Sequence, residues 1–187
     1  CSSDFYADWL YAGDDAPTVL LYGHYDVQPP GDLNLWHSDP FTPTLHGDRI
    51  FARGASDNKA QHFSHLKAIE ALLAENGRLP INIKLCLDGE EEIGSPNLEP
   101  FVQQQRERLA CDLVLCSDGP MVSSSAPTVE YGLRGVLDAE LIVRGPKRDL
   151  HSGNYGGSVH NPIQALTELL AKLHHTDGTV AIPGFYD

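Results

Sequence analysis

Basic residues are scarce in this sequence. Thirteen Lys and Arg stand against 26 Asp and Glu, a formal net charge of -13 with a pI near 4.9. That balance argues against nucleic acid as a partner, because phosphate backbones reward basic patches. Long apolar runs are missing too. No segment reaches the roughly 20 consecutive apolar residues of a helical membrane span, which argues against the membrane as a partner. The four cysteines, Cys1, Cys86, Cys111 and Cys116, form no C-x-x-C pair. Cys86 and Cys116 fall in apolar, strand-like runs and read as buried, reduced thiols, from which a cytoplasmic location follows. No internal repeat, initiating Met or signal-like start is present. The chain opens in mid-pattern at Cys1 and stops at Gly184-Phe185-Tyr186-Asp187 without a closing element, so it reads as a piece of a longer polypeptide.

What remains is an ordinary globular composition, 41% hydrophobic and 21% charged over 187 residues. Such a chain can bury one core, or one core and part of a second. Thr18-Val-Leu-Leu-Tyr22 is a short continuous apolar run, as expected of a strand buried on both faces. Gln28 to Pro43, with four Pro and one Gly, predicts a long loop. A helical pattern follows Asp57, with Leu66, Ile69, Leu72 and Leu73 on one face, and closes near Asn76-Gly77. Ile81 to Leu87 is the next strand. Ser95-Pro96 predicts an N-cap with Pro at the first helical position, opening a helix to about Leu109. Asp112 to Cys116 is a third buried strand. Strand and helix alternate, so the fold class is α/β, a largely parallel sheet with flanking helices.

The pattern changes after Pro120. Ser123-Ser124-Ser125 reads as a linker or loop. From Val136 to Arg144, Leu137, Ala139, Leu141 and Val143 alternate with polar residues, predicting a half-exposed strand. Asn161-Pro162 starts an amphipathic helix carrying Ile163, Leu166, Leu170 and Leu173. These elements predict a first domain over residues 1–126 and the start of a smaller α+β domain over 127–187.

Four short segments carry the side chains that chemistry could use: Gly23-His24-Tyr25-Asp26-Val27, Ala55-Ser56-Asp57-Asn58-Lys59, Glu90-Glu91-Glu92-Ile93-Gly94-Ser95 and Ser117-Asp118-Gly119. Each places a His or carboxylate at the end of a predicted strand or the start of a helix. In an extended segment residues i and i+2 share a side, so Asp26 can hydrogen-bond the imidazole of His24 and raise its basicity toward a metal. A polar loop would hold the same pair. Asp57 could equally be an N-cap; a carboxylate can also bridge two cations about 3.5–4 Å apart. Three successive glutamates would be a solvated acidic loop, except that they follow a buried strand, where α/β sheets place their ligand sites. Asp118 has the same placement. Asp26, Asp57, Glu92 and Asp118 are therefore expected to converge on one edge of the sheet. His151 lies among glycines in a separate loop, where a surface turn is the simpler role. His62, His65, His174 and His175 read as surface or helix residues.

These segments, in this order, resemble the zinc-dependent exopeptidases that include carnosinase and other dipeptidases, carboxypeptidase G, aminoacylase and succinyl-diaminopimelate desuccinylase. Gly-His-Tyr-Asp-Val-Gln-Pro and Gly-Phe-Tyr-Asp are most similar to the dipeptidase branch. The resemblance implies that His24 and Asp118 hold one metal, Glu92 the other, and that Asp57 bridges them. It further implies Glu91 as general base, Asp26 behind His24, and a cis peptide bond after Asp57. His151 would polarise the scissile carbonyl from a lid domain that also forms a homodimer. A further ligand His of the family has no counterpart in this chain, and the usual glycine after Asp-Asn-Lys is Ala60.

The expected function is hydrolysis of a small peptide or an N-acyl amino acid at a dinuclear site. One imidazole among several carboxylates suits Zn²⁺, with Mn²⁺ or Co²⁺ as alternatives. The opposing expectation is a non-catalytic metal-binding or dimerising fragment with an incomplete site.

Overall fold

The computed structural model describes residues 3–187; Cys1 lies outside them. The chain divides into two compact units, Cys1–Glu130 and Tyr131–Asp187.

The first unit is built on a four-stranded mixed sheet. Its strands are β1 (Phe5–Trp9), β2 (Thr18–His24), β5 (Asn82–Asp88) and β6 (Leu113–Cys116), in spatial order β1-β5-β2-β6. A separate hairpin of β3 (Thr44–His46) and β4 (Arg49–Phe51) lies between β2 and β5 in the chain. β5 and β6 both run parallel to β2, while β1 is antiparallel to β5. Helices α1 (Ala60–Asn76), α2 (Leu98–Gln104) and α3 (Arg106–Leu109) complete the α/β layer.

The two faces of the sheet are covered by different helices. Leu21, Ile83 and Leu85 are buried on one face, with Ile69 and Leu73 of α1 packed against them. Leu20 and Cys86 point the other way, into a cluster with Leu109, Phe101 and Cys111. Burial on both sides suits the continuous apolar run at the centre of β2, while β5 keeps Asn82 and Lys84 among its apolar residues and pairs both with backbone carbonyls. α1 ends where Gly77 adopts φ 68, a left-handed conformation that a residue without Cβ takes at little cost, and its N–H closes on the carbonyl of Leu73.

Several expectations need correction. The α1 stripe is rotated from the one predicted: Ile69 and Leu73 face the core, but Leu66 and Leu72 are exposed, and His62 and His65 take the inward positions. Ser95 does not cap a helix. It has a left-handed backbone (φ 51) and spends its hydroxyl on Asp88 Oδ2 at 2.5 Å. The helix instead starts at Leu98 and breaks at Gln105, giving α2 and α3. β6 is a strand but not a buried one, since all four of its residues are exposed, Cys116 among them. It is the last strand of the sheet, and among the described residues only β2 pairs with it.

The second unit holds two helices, α4 (Ser152–Tyr155) and α5 (Pro162–Leu170). α5 starts as predicted: Asn161 Oδ1 accepts from the Ile163 N–H, and Pro162 occupies the first turn. The strand expected over Val136–Arg144 is absent. Its apolar residues alternate, but among the described residues no segment pairs with it. An extended run without a partner leaves its amides to water and is not a strand.

Candidate metal centre

The parallel ladders bring three strand ends to one edge of the sheet. His24 is the last residue of β2, the Glu90–Glu92 turn follows Asp88 at the end of β5, and Asp118 lies just past β6. Asp57 joins them from the kinked turn Ala55–Lys59 that leads into α1, and the Asp57–Asn58 peptide bond is cis. His24 is completely buried. Its Nε2 lies 2.9 Å from Asp57 Oδ1, 3.5 Å from Asp118 Oδ2 and 3.8 Å from Glu91 Oε2. Two donor groups result, His24/Asp57/Glu92 and His24/Glu91/Asp118, in each of which the ligating atoms lie within 4.8 Å of one another. Both contain His24.

Asp26 organises the groups from behind. Its Oδ1 is 3.2 Å from His24 Nδ1, which assigns that nitrogen a proton and turns the lone pair of Nε2 toward the carboxylates. The same carboxylate accepts from the backbone N–H groups of Glu91 (3.2 Å) and Glu92 (3.0 Å). One side chain thus sets both the imidazole and the acidic turn. Buried Asp88 holds the other end of that turn, accepting from the Glu90 N–H at 2.8 Å as well as from Ser95. Gln28 Nε2 donates to Glu92 Oε2 at 2.8 Å and to the Glu92 carbonyl.

Without a cation the site is electrostatically awkward. Burial works against a charged His24, but the Asp57 hydrogen bond and the charges of Asp118 and Glu91 outweigh it and raise the pKa. Burial, reinforced by neighbouring carboxylates, raises Glu91 and Asp118 as well. Like charges crowded around one imidazole suit a divalent cation in the position that a proton would otherwise take. The donor set, imidazole nitrogen plus carboxylate oxygens, fits Zn²⁺ and its first-row neighbours.

The helix histidines belong to the same neighbourhood. His65 Nε2 is 2.9 Å from Ser117 Oγ, and His62 Nδ1 is 3.4 Å from Asn58 Oδ1; burial lowers the pKa of both rings. Helical spacing from Ile69 would have placed them inward. His151 is in the second unit, where it is exposed and caps α4, its Nδ1 accepting from the Gly153 N–H at 3.0 Å.

The model of peptidase family M20/M25/M40 matches residues 20–182. The chain belongs to this family. It is 39% identical over 173 residues to the Cys-Gly metallodipeptidase dug1 of Schizosaccharomyces pombe, covering 91% of this chain and 36% of that protein. It is 37% identical to the human Beta-Ala-His dipeptidase, covering 91% of this chain and 34% of the relative. Among solved structures, human carnosine dipeptidase 1 superposes with a TM-score of 0.70 at 33% identity, over 98% of this chain and 39% of that one. The M20 metallo-carboxypeptidase Sso-CP2 of Sulfolobus solfataricus does so at 0.73 and 35%, over 98% and 41%. The M20 chain described here therefore spans a little over a third of the length of these curated relatives.

Proposed function

We propose that this chain forms the dinuclear metal site of an M20 exopeptidase that cleaves the peptide bond of a dipeptide or an N-acyl amino acid. The observation that carries the reading is the gathering of four carboxylates, Asp57, Glu91, Glu92 and Asp118, around the single imidazole of His24, with Glu91 and Glu92 adjacent in one turn. Relatives named as dipeptidases support the substrate class. In this reading His24, Asp118, Asp57 and Glu92 would hold the cations, with His24 and Asp118 on one, Glu92 on the other and Asp57 between them. Zn²⁺ bound there would supply Lewis acidity toward the scissile carbonyl and a water molecule. Glu91 takes the water's proton and returns it to the leaving amine, and its burial-raised pKa suits a group that must do both. Asp26 keeps the His24 Nδ1 proton in place. His151, in a lid and dimerisation domain over 127–187, would polarise the scissile carbonyl of the homodimeric enzyme. A cytoplasmic setting completes the proposal, supported by the free thiols of Cys86, Cys111 and Cys116.

One observation favours a second assignment for Glu91. It shares a donor group with His24 and Asp118, so it could ligate rather than act as base. Glu91→Gln separates the two in an active enzyme containing this chain. A base predicts a turnover loss of about 10²- to 10⁴-fold on a dipeptide with metal content unchanged; loss of a metal would make Glu91 a ligand. For the 187-residue chain itself, Zn²⁺ titration should show one tight site and one weak. His24, Asp118 and Asp57 give the first cation about the three protein ligands that catalytic zinc usually keeps, while Glu92 and Asp57 give the second only two. Two equally tight sites with full peptidase activity would refute that ligand division. Tight metal with no turnover, in a protein of the relatives' full length, would favour the non-catalytic module.

A further inference from the structure

Asn58 is a fully enclosed polar side chain beside the donor groups that the ligand assignment leaves unused. It is 1% exposed and sits where the β2–β6 ladder stops. The last pair of that ladder is Tyr22↔Cys116, and His24 and Asp118 both lie beyond it. Asn58 fills the gap with its amide. Its Oδ1 accepts from the His24 backbone N–H at 3.2 Å, and its Nδ2 donates to Asp118 Oδ1 at 3.0 Å. The second Asp118 oxygen, Oδ2, is thereby the one left 3.5 Å from His24 Nε2. An Asn amide, with a donor and an acceptor on one planar group, can hold a main chain and a carboxylate at once. Gly23 makes room for it: a Cβ at that position would come within 2.6 Å of Asn58 Oδ1 and 3.3 Å of His62 Nδ1.

Resting on the metal-site reading above, we propose that Asn58 is a positioning residue, seated against Gly23, that turns one oxygen of Asp118 toward a cation shared with the His24 imidazole and fixes the main chain that carries that imidazole. Groups that orient metal ligands typically contribute about 10- to 100-fold in affinity. The Asn58 side chain touches no metal in this arrangement; it acts through Asp118 and His24.

The test is calorimetric titration of Zn²⁺ into the 187-residue chain and into Asn58→Leu and Gly23→Ala, with folding of each metal-free sample followed by circular dichroism. Asn58→Leu removes both hydrogen bonds and keeps the branching of the side chain. Gly23→Ala displaces the amide while every candidate ligand stays intact. Both variants should bind the tight Zn²⁺ at least ~10-fold more weakly while folded. A purely structural Asn58 would lower the melting temperature and leave the affinity of the folded chain within about 2-fold, and that result in either folded variant would overturn the proposal. If neither variant folds, the unmutated chain decides: the Asn58 side-chain NH₂ resonances should shift on adding Zn²⁺, and unmoved resonances in a metal-loaded chain would refute the role. Absence of Zn²⁺ binding by the unmutated chain would instead sink the metal-site reading, and this role with it.

Discussion

β5 and β6 are both parallel neighbours of β2, yet six of the seven β5 residues are buried and all four β6 residues are exposed. β5 has β1 and β2 at its edges, α1 over one face and the α2–α3 cluster over the other. Even its polar groups are enclosed and paired: Lys84 Nζ donates to the Ala110 carbonyl at 2.6 Å, and Asn82 Nδ2 to Gly13 at 3.0 Å. β6 has a partner on one edge only. Burial is therefore a property of a strand's surroundings, not of its own hydrophobicity, since Leu-Val-Leu-Cys is as apolar as anything in β5.

The sharpest test of that contrast is truncation. Leu85→Ala, in the β5 core where Leu85 is 8% exposed, should cost about 2–5 kcal/mol of stability. Leu115→Ala in β6, at 38% exposure, should cost under about 1 kcal/mol. Urea denaturation of the two variants measures both. Equal losses would mean that β6 is covered in solution by something outside the described residues.

A chemical probe gives the next effect. Cys86 is 2% exposed and burial pushes its thiol up to about 11, whereas Cys116 is exposed. Only the thiolate reacts with iodoacetamide, so at mildly alkaline pH Cys116 should be alkylated on the order of 100-fold faster than Cys86. The sign with pH is fixed: Cys86 stays protonated below its raised value, and its labelling accelerates only as the pH climbs toward about 11. Denaturant should abolish the difference. Mass spectrometry of labelled peptides reads it directly, and comparable rates in the folded chain would show that β5 opens as readily as β6.

The same contrast explains what could be read in advance. β2, β5 and α1 were legible because an apolar run, interrupted in β5 by Lys84, and a Gly-terminated helical stripe each constrain the backbone locally. β1 was not, because Phe-Tyr-Ala-Asp-Trp is a short, half-polar edge strand whose pairing with β5 is visible only in the fold. The β3–β4 hairpin did carry a signal, the two-residue Gly47-Asp48 turn between His46 and Arg49. Val136–Arg144 misled in the opposite sense, since alternation shows which face could be buried and says nothing about whether a partner exists. At the metal centre, His24, Asp57, Glu91, Glu92 and Asp118 could be singled out by residue type and placement at element ends. Asn58, Gln28 and Asp88 could not. Asn58 and Gln28 act through contacts across long stretches of chain, such as Asn58 to Asp118, that no local pattern encodes, while Asp88 holds the nearby Glu90 and Ser95 without a residue pattern that marks it.

The smallest effect concerns the outer edge of β6. Among the described residues only β2 pairs with this strand, so its other side presents backbone N–H and C=O groups beside Val114, which is 54% exposed. An apolar edge of this kind is a template for pairing with another chain, and lysine is a common residue for blunting such edges. Val114 is more than half exposed, so the effect of Val114→Lys on stability should stay within about 0.5 kcal/mol. Its effect on association should be larger than its effect on stability: sedimentation velocity across a concentration series should show less self-association than in the unmutated chain. Melting curves recorded on the same samples separate the two effects. A loss of several kcal/mol would place Val114 in a packed interior, contrary to its exposure. Unchanged association at unchanged stability would mean that chains meet elsewhere, and that the β6 edge is uncovered without being adhesive.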